Sequence, residues 1–274
     1  MIRVAICAPA RSITPEDAAR VTDLATAVQG VSLNFHPQCF QNEGHFAGSD
    51  AQRLAAFLEC ANDPAFGAVW FARGGYGSNR IVEDALPQLG EAANAQAYLG
   101  YSDTGYLLAG LYRARIGAPV HAPMPGDIRR AGGEAAVLRT LHWLGGDRSG
   151  EEPGPGAHPA VAFNLTTLAM LCGTPLMPDL TGLVVQVEEV SEHLYSVDRL
   201  FFHVTAHLRD VAGLRLGRLG DVPENDVPFG RDEEQIARHW CARSGIPYLG
   251  RADIGHDIDN KIVPFGLESR RARD

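Results

Sequence analysis

The sequence predicts an α/β protein, with an N-terminal parallel-sheet domain carrying helices on both faces and a smaller mixed α/β C-terminal domain. Three features point this way. Short apolar runs alternate with segments of helical spacing through the first half, as a parallel sheet covered on both faces requires. From Leu144 to Pro159 the chain turns rich in Gly, Pro and charged residues that continue neither regular element. Beyond that stretch the regular strand-helix alternation is lost. The expected division is therefore a domain over 1–147, a linker over 148–160 and a second domain over 161–274.

The elements follow in order. Met1 to Pro9 forms a short apolar run, too short for a signal peptide, and reads as a first buried strand. Thr14-Pro15-Glu16-Asp17 supplies an N-cap, a proline at the first helical position and an acid three residues on, so a helix is expected to run to about Gly30. Ser49-Asp50-Ala51-Gln52 is a second capping box, followed by Leu54, Phe57, Leu58 and Ala61 at helical spacing. Ala68 to Ala72 is a continuous apolar run that breaks into Arg73-Gly74-Gly75-Tyr76-Gly77, a buried strand entering a glycine loop. Ala97 to Tyr101 repeats the pattern: a strand, a turn at Ser102-Asp103, and a helix from Thr104 to Ile116 stopped by Gly117. In the second half a helical run covers Leu165 to Cys172, a strand Leu183 to Val187 and an amphipathic helix Val197 to Leu208, with shorter strand-like pieces near Leu214 and Ile262.

Composition narrows the chemistry. The 33 acidic and 24 basic residues give a net charge of −9 without any long single-sign block, so the clustered basic face that nucleic acid needs is missing. Lys261 is the single lysine, which removes a Schiff base, a pyridoxal-phosphate anchor and a Ser-Lys dyad from most of the chain. Five widely spaced cysteines, odd in number, read as reduced core thiols and not as a disulfide framework. No segment reaches the roughly 18 apolar residues of a membrane span. The expected compartment is the cytoplasm, with neither membrane nor nucleic acid as partner.

Three residues stand where acyl-transfer chemistry could be built. Ser102 follows a buried strand on a sharp turn that opens a helix, which lifts its hydroxyl from the sheet edge beside helix N-terminal amides. Its surroundings are Gly100-Tyr101-Ser102-Asp103-Thr104 rather than G-x-S-x-G, and a plain helix cap is the competing reading. Strand periodicity puts Leu183, Val185 and Val187 on one face and Val184, Gln186 and Glu188 on the other, with Glu188 at the polar end. Glu189 and Glu192 compete with it, and a solvated carboxylate is its ordinary reading. His256 lies in Gly255-His256-Asp257-Ile258-Asp259-Asn260, a turn-forming loop in which a surface histidine is the ordinary expectation.

Taken together and in order, Ala8-Pro9, His45-Phe46-Ala47-Gly48-Ser49-Asp50, Arg73-Gly74-Gly75-Tyr76-Gly77, Gly100-Tyr101-Ser102-Asp103, Gly173-Thr174-Pro175, Val187-Glu188-Glu189 and Gly255-His256, followed by Asn260 and Pro264-Phe265-Gly266, resemble the LD-carboxypeptidase family across nearly the whole chain. The resemblance implies a Ser-Glu-His hydrolase that removes a C-terminal D-residue from an LD-peptide such as murein tetrapeptide through an acyl-enzyme, in peptidoglycan recycling, and it favours a homodimer. Carried onto this chain, it makes Ser102 the nucleophile, His256 the base and Glu188 the acid that holds the imidazole. The amides of Asp103 and of the Gly74-Gly75 loop become oxyanion donors, Gly75 among them, and Arg73, Gly74 and Tyr76 become substrate-binding residues, with Arg73 suited to a substrate carboxylate or to a structural salt bridge. A site shared between two domains implies a cleft whose closure could gate the reaction.

Three positions depart from the family pattern: Ala10 in place of serine, Ala122 in place of glycine after His121, and Phe163 in place of glycine before Asn164-Leu165. Phe163 is expected to add bulk near the domain junction and to reshape the pocket. The family also includes branches resembling microcin-immunity hydrolases, which cleave aminoacyl-nucleotide analogues. Other readings rest on less. The Gly74 to Gly77 loop lacks G-x-G-x-x-G and a Walker lysine, so it is a poor nucleotide site. His203 and His207 sit four apart on a helix without H-E-x-x-H or an obvious third ligand. A non-catalytic peptide-binding homologue would keep the same residues. No cofactor and no metal are expected, and Leu200, Phe201, Val204 and Leu208 read as a packing stripe.

Overall fold

A computed structural model describes residues 1–266 apart from Pro155 and Ala157. The first sheet is built from β1 (Ile2–Cys7), β2 (Val31–Phe35), β3 (Ala68–Phe71), β4 (Ala97–Gly100) and β5 (Ala118–His121), interleaved with α1 (Pro15–Thr26), α2 (Asp50–Asn62), the short α3 (Val82–Ala85), α4 (Gly105–Ala114) and α5 (Gly133–Leu144). The second half supplies β6 (Ala160–Asn164), α6 (Leu165–Leu171), β7 (Val184–Val190), α7 (Leu194–His207), β8 (Gly213–Gly220), α8 (Glu233–Ser244), β9 (Tyr248–Arg251) and β10 (Val263–Pro264).

Both expected capping boxes form. Thr14 and Asp17 satisfy each other's amides at the start of α1, and Ser49 and Gln52 do so at α2. Helix α1 ends at Thr26, earlier than expected, because the chain must turn by Gly30, at φ 82°, to enter β2. Neither that strand nor α5 is among the elements expected from the sequence. Helix α4 ends at Ala114, with Arg115 and Gly117 both in the left-handed region.

The first sheet runs β10-β5-β4-β3-β1-β2, parallel throughout except for β10, which pairs antiparallel with β5. The strand-like piece near Ile262 thus joins the first sheet from the far end of the chain. Within the parallel part, β1 has its sequence neighbour β2 on one side and β3 on the other. That reversal of winding opens a crevice beyond the strands' carboxyl ends, where α/β proteins bind ligands. The second sheet, β6-β7-β8-β9, is wholly parallel, with a helix between each pair of strands. Contrary to expectation, strand-helix alternation is therefore regular in the second half as well. Its sequence signal is weak because β8 is broken by glycines and arginines and β9 has four residues.

The two halves share one core. Leu107, Leu108 and Leu111 of α4 belong to the same buried cluster as Phe163 of β6, Leu165 and Leu168 of α6, and Val185 and Val187 of β7. Close approach depends on Gly105, where an added Cβ would stand 3.1 Å from Cγ2 of Thr167. Among the described residues no helix is long and apolar enough to cross a membrane, and all five cysteines are free and buried.

Candidate active site

Strand β4 delivers Ser102 into a strained turn. Its φ of 60° is left-handed, a conformation that costs a non-glycine residue about 1–3 kcal/mol and has to be imposed by its neighbours. Thr104 Oγ1 donates to the Tyr101 carbonyl at 2.8 Å, and a Cβ at Gly100 would meet that same Oγ1 at 2.4 Å. Ser78 ties the turn to the glycine loop: its amide donates to the Asp103 carboxylate (2.9 Å) and its hydroxyl to the Asp103 carbonyl (2.6 Å). Burial pushes the Asp103 carboxyl up, against the Ser78 hydrogen bonds that favour its charge. The glycine loop is held in turn by Arg53, fully buried on α2, whose guanidinium donates to the Pro9 and Gly77 carbonyls and pairs with Asp50. Gly74 then passes so close to Ser102 that an added Cβ would lie 2.9 Å from its Cβ and Oγ.

Glu188 comes from β7. The predicted two-residue parity holds, since Val185 and Val187 face the main core and Val184 faces a separate small cluster. The solvated environment does not hold, because every residue from Val184 to Glu189 is buried and Glu188 is 0% exposed. The register against β8 slips between Val187 and Glu189, a local irregularity of the kind that re-aims a side chain, and Gly217 on β8 leaves room beside Glu188. Glu189 points elsewhere, accepting hydrogen bonds from Asn164, Thr166 and the Val190 amide.

His256 sits on a loop clamped from both halves. Arg139 of α5 donates to the Ile258 and Asn260 carbonyls, and Arg218 of β8 pairs with Asp253 and Asp257. Asn260 Oδ1 accepts from the Gly255 amide (3.2 Å) and lies 3.0 Å from Nε2 of His121. Burial lowers the pKa of His121 to about 4 and keeps it neutral. The Tyr101 ring stands between His121 and His256, at 5.5 and 4.8 Å from them, and its hydroxyl donates to Asp127.

The three side chains meet. His256 Nδ1 lies 2.5 Å from Glu188 Oε2, and its Nε2 lies 3.0 Å from Ser102 Oγ. Burial opposes the imidazolium, but the Glu188 carboxylate outweighs it and the His256 pKa is raised. With the Nδ1 proton directed at a carboxylate, Nε2 presents its lone pair to the serine hydroxyl. That arrangement can remove the proton as Oγ attacks a carbonyl.

Beside Ser102 opens a cavity of about 240 Å³ at the carboxyl ends of β1, β3, β4 and β5. Arg11, Arg73, Arg129 and Arg130 line it with Gly74 and Gly75. Arg129 is paired with Asp17 and Arg130 with Asp127, whereas Arg11 and Arg73 have no ion pair among the described residues. Burial, then the charges of Arg129 and Arg11, lower the pKa of Arg73, so this pocket favours an anion. A wider open depression beside α8, around Arg231 and His239, includes none of Ser102, Glu188 and His256.

Of the expected binding residues, Arg73, Gly74 and Gly75 reach the cavity, while Tyr76 is 69% exposed against the His45 ring and outside the lining. Phe163 is not among the residues that line the pocket. It is buried against Phe265 in the shared core, and Ala10 and Ala122 are likewise buried outside the lining. Arg11, Arg129 and Arg130 carry no sequence signal of a binding role, because their convergence depends on the strand order.

Comparison with known proteins agrees along the whole chain. The LD-carboxypeptidase N-terminal domain matches residues 4–122 and the LD-carboxypeptidase C-terminal domain residues 159–270. The murein tetrapeptide carboxypeptidase of Pseudomonas aeruginosa is 27% identical over 99% of this chain and 94% of its own. The crystal structure of muramoyltetrapeptide carboxypeptidase from Oxalobacter formigenes shares the fold at a TM-score of 0.80 and 23% identity, covering 96% of this chain and 92% of that one. MccF in complex with glutamyl sulfamoyl guanosine does so at 0.75 and 19%, covering 97% and 91%. A two-domain match of this extent places the chain in the LD-carboxypeptidase family, among the serine peptidases.

Proposed function

We propose that this protein removes a C-terminal D-amino acid from an LD-peptide, with murein tetrapeptide as the representative substrate. The observation that carries the reading is the continuous contact from Glu188 through His256 to Ser102 at the mouth of an arginine-lined cavity. Ser102 Oγ attacks the scissile carbonyl while His256 takes its proton. The amides of Asp103 and Gly75 stabilise the oxyanion, and His256 returns the proton to the departing amine. Water then hydrolyses the acyl-enzyme by the same relay. Arg73, with Arg11 beside it, holds the carboxylate of the leaving residue. Relatives that match over most of this chain are named murein tetrapeptide carboxypeptidase and murein peptide carboxypeptidase, which favours the peptide over an aminoacyl-nucleotide analogue. The same reading has two domains, 1–147 and 161–274, joined by 148–160. It places the protein in peptidoglycan recycling in the cytoplasm, as a homodimer.

The test is mass-resolved hydrolysis of murein tetrapeptide by wild type and Ser102→Ala, with an aminoacyl-nucleotide analogue alongside. Loss of one D-alanine by wild type alone is the expected result; Ser102-dependent cleavage of the analogue alone would transfer the protein to the immunity-type activity, and no cleavage of either would leave a binding role. Two variants probe the surroundings. Arg73→Met should raise KM for the tetrapeptide by about 10- to 100-fold, the cost of one charge-assisted contact of about 1.5–3 kcal/mol, with a smaller effect on a substrate amidated at its C-terminus. Asn260→Ala, which frees both the Gly255 amide and His121, should lower kcat by about 10- to 100-fold with KM little changed, because the imidazole loses its set position.

A further inference from the structure

At the end of α6 remote from Ser102, a third ligand joins the two histidines that the sequence presents only as a pair. Cys172 is the C-cap of α6, His203 and His207 lie at the end of α7, and one ligating atom from each falls within 4.8 Å of the others. Packing of Leu168 and Leu171 with Val204 and Leu208 in one core brings the two helix ends together. The four-residue spacing sets both imidazoles on one helix face, and their rings stand 4.4 Å apart. His207 Nδ1 lies 2.8 Å from the His203 carbonyl, which can only accept, so Nδ1 carries the proton and Nε2 keeps its lone pair. A backbone carbonyl orients metal-ligating histidines in the same way. Both helices end here, and the negative ends of their dipoles favour a cation. Cys172, at 9% exposure, is also the most accessible of the five thiols, the others being 0–4% exposed.

We propose that Cys172, His203 and His207 form a binding site for one borderline divalent transition ion, with zinc the best match, and with water in the fourth position. One thiolate and two imidazoles are a donor set of that class, and carboxylate-preferring magnesium or calcium would not be held. On binding, the Cys172 thiol gives its proton to solvent and the sulfur bonds to the metal, while both histidines bind neutral and nothing is oxidised or reduced. Seven residues of α6 span about 10 Å, so the ion lies off the relay. It clasps α6 to α7, and the opposite end of α6 carries Thr166 and Thr167 against Glu189 and the Ser102 carbonyl.

The experiment is titration of chelator-treated wild-type protein with Co²⁺, read by absorption, followed by displacement with Zn²⁺ and thermal melting. Expected are a thiolate-to-cobalt charge-transfer band and strong visible bands of a four-coordinate ion, saturating at one ion per chain. Cys172→Ser should abolish the charge-transfer band, and the exposed His207→Ala should weaken binding by about tenfold or more. Zn²⁺ should raise Tm by several degrees in wild type and not in Cys172→Ser. Absence of the band in wild type, its persistence in Cys172→Ser, or an equal Zn²⁺ shift in both proteins would overturn the proposal. None of these readouts depends on peptidase activity.

Discussion

Ser102→Ala should lower kcat on murein tetrapeptide by about 10⁴- to 10⁶-fold, the largest loss expected of any single substitution, with the fold and the substrate Kd nearly unchanged. The proposed nucleophile contributes one oxygen, and its removal leaves the His256–Glu188 pair, the glycine loop and the arginine-lined cavity in place. Alanine occupies the same left-handed backbone as serine, so the turn's strain is not relieved and melting should shift by less than about 1 kcal/mol. Single-turnover rates and equilibrium binding on the same preparation check both halves. A variant that retained more than about one percent of wild-type kcat would remove Ser102 from the chemistry.

The setting of Ser102 is partly legible in the sequence alone, and the reason is locality. A strand running into Gly100-Tyr101-Ser102, and the capping boxes at Thr14 and Ser49, are decided within a few residues, so sequence reveals them. The parity of β7 is local too, and it puts Glu188 on the correct face. Its burial is not legible, because a carboxylate is tolerated in a core only when its partner arrives, and His256 comes 68 residues later. Arg11, Arg73 and Arg129 follow three different strands, and only the order β2-β1-β3-β4-β5 draws them to one crevice. Cys172 escapes a sequence reading for the same reason, since its approach to His203 and His207 depends on how α6 packs on α7. Phe163 shows the converse. The family pattern has glycine at this position, which marks Phe163 as added bulk near the domain junction, and its ring is taken up in the core with Phe265.

Glu188→Gln should cost about 10⁴-fold in kcat, roughly 5 kcal/mol of transition-state stabilisation, and should also change how the remaining activity depends on pH. The amide is nearly isosteric with the carboxylate, so packing around this fully buried side chain is preserved. What changes is the group facing His256 Nδ1. A carboxylate only accepts and holds the proton on Nδ1, whereas an amide can donate, turn the imidazole to the other tautomer and place a proton on Nε2, where Ser102 needs a lone pair. The sign of the pH effect follows from the charge. In the proposed mechanism the working base is neutral imidazole, and Glu188 raises its pKa despite burial, so wild-type kcat/KM should fall on the acid side at a pH above the ordinary imidazole value of about 6.5. With the carboxylate gone, burial is left less opposed and the acid limb of the variant should move to lower pH. Glu189→Gln separates this from a general effect of buried charge. Glu189 is held by Asn164, Thr166 and the Val190 amide, and its charge acts on His256 less than those of Glu188 and Asp127. Its substitution should shift the limb far less and leave the Nδ1 contact in place. If both variants moved the limb equally, orientation of His256 would belong to the acidic pair and not to Glu188 alone.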